Sequence, residues 1–242
     1  MIANSFLSAY AMADSFGKLI FWGLFCLSLT SWVILVHKFL LLRKIKQASY
    51  TFASFIKEQK DAIFHLTPKH LPPMEENLLN PFVDIYFTLK LKTKDFLEKN
   101  HFFIAKQPET PVYLSRTDVD AVQNGVHSKI EISSKQLEKH LFILSTIVTL
   151  APFLGLLGTV WGILVAFNEL QGGASLGSST ALLGGLSTAL TTTVLGLLIA
   201  IPALVGYNYL KNSIRSFTSE MELFSSELIS RVELQYRQVD VT

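Results

Sequence analysis

From Leu141 to Leu210 the chain carries one charged residue, Glu169. A helix needs about 20 apolar residues to cross a hydrocarbon core of roughly 30 Å. This stretch is long enough for two such crossings, 141–167 and 187–210, and a third apolar run occupies 19–36. With 50% hydrophobic residues in 242 and a net charge of only +2, the chain is too apolar for a soluble domain of its size. The expected class is an all-α integral membrane protein with three transmembrane helices.

No basic segment precedes the first run and no small-residue cleavage site follows it, so it is expected to stay as a span. Lys38, Arg43, Lys44 and Lys46 follow that span, whereas Lys18, beside Asp14, stands alone before it. Lys129, Lys135 and Lys139 precede the second span, Lys211 and Arg215 follow the third, and 168–185 has no base. Because short basic loops stay in the cytoplasm, all three spans predict an outer N-terminus and a cytoplasmic C-terminus. The expected organisation is an outer segment 1–18, spans at 19–36, 141–167 and 187–210, an outer loop 168–186, and cytoplasmic parts 37–140 and 211–242. The lone Cys26 falls inside the first span, which excludes an intrachain disulfide.

The segment from Lys38 to Lys139 holds 16 of the 21 basic and 12 of the 19 acidic residues. Such balance predicts a solvated helical domain and no nucleic-acid surface. Pro68, Pro72, Pro73 and Pro81 mark one linker in it, and Pro108 and Pro111 a second. Val119, Val122, Val126, Ile130, Leu137 and Leu141 then recur at helical spacing, with no Pro or Gly between Gly125 and Pro152. One continuous helix from Asp118 to Phe167 is therefore expected. Beyond the third span, Leu210, Ile214, Phe217, Met221, Phe224 and Leu228 form a heptad seam that needs a partner helix. That partner is the rod before the second span in the same chain, a second subunit, or both. Phe6, Leu7, Tyr10 and Phe16 suit a short interfacial helix before the first span.

Within the second span, Gly155, Gly158 and Gly162 allow another backbone to approach closely. Ser145, Thr149, Pro152 and Thr159 fall within an arc of about 80° at 100° per residue. In the third, Thr188, Thr192, Gly196, Ala200 and Ala203 share one side, suited to close contact or to water. Membrane Ser and Thr commonly bond back to a carbonyl one turn earlier, and Pro152 and Pro202 need only bend their helices. Against that stands the concentration of Thr146, Thr149, Thr159, Thr188, Thr191, Thr192 and Thr193 in two adjacent spans, which points to a path for a small polar species. His37 and His140, at the membrane edge, fit interfacial snorkelling better than metal binding. No nucleophile with a paired base, no metal-spaced cluster and no phosphate loop is legible, so neither an enzyme nor a cofactor is expected.

The run Ala151-Pro152-Phe153-Leu154-Gly155-Leu156-Leu157-Gly158-Thr159-Val160-Trp161-Gly162-Ile163 resembles the signature second span of the MotA/TolQ/ExbB proton channel family. So does Gly185 to Asn208, above all Leu195-Gly196-Leu197-Leu198-Ile199-Ala200-Ile201-Pro202-Ala203. Ser31-Trp32-Val33-Ile34 in the first span is more faintly similar. Three spans fit the TolQ and ExbB branches, since the MotA branch has four. The resemblance implies a homopentamer in the inner membrane whose second and third spans enclose helices of a TolR- or ExbD-like partner. It implies further that the partner supplies a proton-carrying aspartate and that the proton motive force drives envelope processes or transport.

The family's pore threonines carry over onto Thr159 and Thr193, and Thr149, Thr188 and Thr192 complete the candidate ion pathway. The chain departs from the family at Thr188, which takes the fourth place of a Gly-Ile-Ala-Glu-like run where TolQ and ExbB have glutamate. A buried carboxylate normally marks an ion path, and here none replaces it. Either the partner's aspartate and the threonines suffice, or the assembly is a non-conducting anchor for an envelope complex.

Overall fold

A computed structural model describes residues 2–58, 78–104, 113–171 and 178–236. Six helices follow in order: α1 (Ile2–Met12), α2 (Ser15–Glu58), α3 (Pro81–Ile104), α4 (Arg116–Glu138), α5 (Leu141–Gln171) and α6 (Ser178–Tyr236). No strand occurs among the described residues. Three helices, α2, α5 and α6, are long and apolar enough to cross a membrane, as the three apolar runs predict.

Short polar residues set where the helices begin. Asp14 accepts the Gly17 N–H at 2.9 Å and starts α2. Asn80 does the same for Val83 at 3.4 Å, with Pro81 at the first helical position, where a missing N–H costs nothing. At α4, Ser115 and Asp118 form a reciprocal capping box.

The continuous helix expected from Asp118 to Phe167 is interrupted. α4 ends at Glu138 and α5 begins at Leu141, with His140 at φ 72°. A left-handed residue halts the α-helical ladder, and no Pro or Gly announced it because histidine is among the residue types that tolerate this conformation. The third helix also starts earlier than the apolar run: α6 already includes Ser178, so its first turns lie in the segment expected as loop 168–186. Pro68, Pro72, Pro73, Pro108 and Pro111 lie outside the described residues.

The chain divides into two compact units, and α2 and α6 contribute to both. The first comprises residues up to Phe39 together with His140–Lys211. Its interior is built from Ile20, Leu24, Ala151 and Ala200, and from Ala9, Ala13 and Phe21 where α1 rests on α2. Phe16, expected in the short helix before the first span, lies instead in α2. Trp22, Phe25, Leu29, Trp32 and Val33 are exposed on α2, an outward apolar face that suits lipid.

The second unit, Leu40–Lys139 with Asn212–Thr242, packs on aromatic rings. Phe82 of α3 stacks on Phe217 and Phe224 of α6 at 5.6 and 4.5 Å between centroids. Ile214, Phe217, Met221, Phe224 and Leu228 are all buried, so this part of the heptad seam is satisfied within the chain. Lys129 pairs with Asp84 at 3.1 Å, and Ser49 donates to Asn80 Oδ1 at 3.1 Å.

Candidate ion pathway

The glycine face of α5 meets α6 of the same chain. A Cβ on Gly155 would stand 2.9 Å from the Thr192 carbonyl oxygen, and one on Gly162 would stand 2.8 Å from that of Gly185. At Gly158 it would overlap the Thr192 side chain, including Oγ1. From α6, a Cβ on Gly196 would reach within 2.6 Å of the Ala151 carbonyl oxygen. The two backbones are therefore as close as small residues permit, which is how helices associate when lipid supplies no hydrophobic drive. Both helices continue through their prolines, Pro152 and Pro202.

Each candidate threonine has a defined hydrogen bond. On α5, Thr149 donates to the Thr146 carbonyl at 2.9 Å and Thr159 to the Leu156 carbonyl at 2.6 Å, both within their own helix. On α6, Thr193 reaches across to the Gly155 carbonyl at 3.0 Å. Thr192 shares its hydroxyl between that oxygen at 3.3 Å and Ala189 at 2.8 Å. The Gly155 carbonyl is also the one the helical ladder assigns to the Thr159 backbone N–H, while the Thr159 hydroxyl itself is bonded to Leu156.

Burial separates the five. Thr192 is fully buried and Thr188 is 6% exposed, whereas Thr149 is exposed and Thr159 and Thr193 are half-buried. The small-residue side of α6 is thus a dry contact, and the larger Leu190, Val194, Leu197, Ile201 and Leu204 point outward. Ser145, Thr149, Pro152 and Thr159 remain at least partly exposed on α5.

Thr188 has a role the sequence pattern does not disclose. Its hydroxyl donates to the Ala9 carbonyl at 3.1 Å, in the last turn of α1, where the helix can no longer supply a partner. A threonine can cap that oxygen. An ionised glutamate, which only accepts, cannot.

Asp14 also escaped the sequence reading. Besides capping α2, it accepts the Trp161 indole N–H at 3.0 Å, while Phe16 packs on the same indole at 4.4 Å. Burial pushes its carboxyl upward, but the bonds from Gly17, Trp161 and Phe16 outweigh this and hold it below the usual carboxylate range. The legible signal was an Asp three residues before Gly17 at the start of an apolar helix. What it bonds on α5 was not legible. Among the described residues no group of His, Cys, Asp and Glu could hold a metal ion.

Tight glycine-lined contact between two apolar helices, with hydroxyls facing both inward and outward, defines a multi-pass helical membrane protein with a polar seam. A family model described as the MotA/TolQ/ExbB proton channel family matches residues 96–223. The chain is 35% identical to the biopolymer transport protein ExbB of Helicobacter pylori over 133 residues, 55% of this chain and 84% of that protein. It is 26% identical to the Tol-Pal system protein TolQ of Haemophilus influenzae over 233 residues, 96% of this chain and 95% of the relative. The chain belongs to the MotA/TolQ/ExbB proton channel family, in its TolQ/ExbB branch, and is a multi-pass inner-membrane protein. That family energises transport and is not a family of enzymes.

Proposed function

We propose that this chain is the pore-forming subunit of an inner-membrane motor driven by the proton motive force, assembled as a homopentamer around helices of a TolR- or ExbD-like partner. The observation that carries this reading is the α5 stripe of Ser145, Thr149 and Thr159, still partly exposed after α6 has covered the glycines. A polar stripe facing lipid alone would be out of place, so it is assigned to a water-containing lumen or to a partner helix. The spans carry no carboxylate of their own at Thr188, so the group that takes up and releases the proton comes from the partner. Thr159 and Thr193, whose hydroxyls donate to the Leu156 and Gly155 carbonyls of α5, form this chain's share of the path, and Thr149 continues it along α5.

A second reading, a non-conducting anchor, draws support from Thr188 and Thr192, whose hydroxyls are both spent on packing contacts. Ion flux in liposomes holding this protein and its partner separates the two. Thr159→Val and Thr193→Val keep the shape and delete the hydroxyl, and each is expected to lower flux severalfold while leaving the assembly intact. If the hydroxyls serve packing alone, the loss is about 0.6 kcal/mol per bond and flux stays unchanged. Absence of flux in the wild type would overturn the motor reading, and equal flux in all three proteins would overturn the assignment of Thr159 and Thr193 to the path.

A further inference from the structure

A cavity of about 420 Å³ opens on the membrane unit, walled by Leu7 and Tyr10 of α1, Phe21 and Trp22 of α2, and Leu195 and Leu198 of α6. Its volume lies in the range of small-molecule sites, about 300–1,000 Å³. On α2 the wall runs from Phe21 to Ser28. One turn before Phe21 stands Lys18, whose Nζ lies 6.0 Å from the centre of the Tyr10 ring. Lys18 makes no ion pair among the described residues, because the nearby Asp14 is turned to Gly17 and Trp161.

We propose that this cavity is a phospholipid site, with an acyl chain in the slot and the phosphate on Lys18. Its length argues for lipid. Lys18 to Ser28 is ten residues, about 15 Å at 1.5 Å per residue, and half of a roughly 30 Å hydrocarbon core is one leaflet. A protein helix crosses both leaflets and has no reason to stop at Ser28. Charge argues the same way: Lys18 has no carboxylate paired with it among the described residues, and a phospholipid brings a phosphate at the head of the chain. Tyr10 and Trp22 are the residue types that favour the head-group level.

Trp22 reports occupancy, and Trp32, similarly exposed on the same helix at 57% against 59%, reports lipid in general. Two full-length proteins, one keeping only Trp22 (Trp32→Phe with Trp161→Phe) and one only Trp32 (Trp22→Phe with Trp161→Phe), are titrated in maltoside micelles with dibrominated phosphatidylglycerol. Bromine on the acyl chain quenches a tryptophan it touches. Trp22 is expected to quench at a severalfold lower lipid fraction than Trp32. Brominated diacylglycerol, which lacks the phosphate, and Lys18→Gln should each abolish the difference. Superimposed curves with the phospholipid would overturn the site. So would a Trp22 that stays bright while Trp32 quenches, which would show protein covering the slot, and a difference that survives Lys18→Gln would overturn the phosphate anchor.

Discussion

At the scale of single residues, the hydroxyls that look alike in the sequence do different work. Thr188 stands where the family places glutamate, and it holds the end of α1 through the buried Ala9 carbonyl. Thr188→Val should leave that oxygen without a partner at a cost of about 1–3 kcal/mol. Thr188→Glu should cost more, since a desolvated carboxylate would face a carbonyl, while Thr188→Ser should be nearly silent. Hydrogen exchange of the α1 amides reads this directly: protection should fall in the Val and Glu variants and persist in Ser. Unchanged protection in Thr188→Val would remove the capping role. The concentration of threonines was legible in the sequence. Their sorting into packed and exposed positions was not, because it depends on where α1 and α6 come to rest.

At the scale of helices, two contacts are open to test. The glycines of α5 were legible as a close-approach face, and in the structure that face lies against α6 of the same chain. Gly158→Leu should therefore unpack α5 from α6 inside one subunit, lowering the detergent melting temperature even of protein that has not assembled. A melting temperature unchanged would place the glycine elsewhere. In the other unit, Asp118 closes the N-terminus of α4, accepting from Asn100 Nδ2 at 2.9 Å and from Ser115. Burial raises its pKa, but these bonds and the charge of Lys99 hold it below the ordinary 3.8. A carboxylate with a lowered folded pKa contributes stability above its unfolded pKa and loses it as pH falls through the folded one. Asp118→Asn should thus lower stability near neutral pH by about 1 kcal/mol, as cap losses do. Below pH 3 the difference should shrink, and urea unfolding at both pH values checks it.

For the whole molecule, the distribution of basic residues implies an outer N-terminus and cytoplasmic 37–140 and 211–242. Accessibility tags test this: one after Thr242 and one near Pro72 should be reachable only from the cytoplasm, and one near Ser178 only from outside. A Pro72 tag reached from outside would invert the topology and, with it, the direction in which a proton path through α5 and α6 could couple to the envelope.

Class, spans and family were determined by the sequence itself, because crossing a membrane requires length and apolarity that composition alone records, and because the Gly-Thr-Val-Trp-Gly-Ile run is a local pattern. The seam from Ile214 to Leu228 was equally legible as a buried stripe, but the sequence left its partner open, since a heptad states which face needs covering and not what covers it. Tertiary structure decided that Phe82 and its neighbours cover it, that His140 breaks the expected rod, and that Asp14 holds Trp161. Each of these depends on residues distant in the chain or on a backbone angle that a histidine can adopt without announcing it, so no periodicity or spacing could have carried the information.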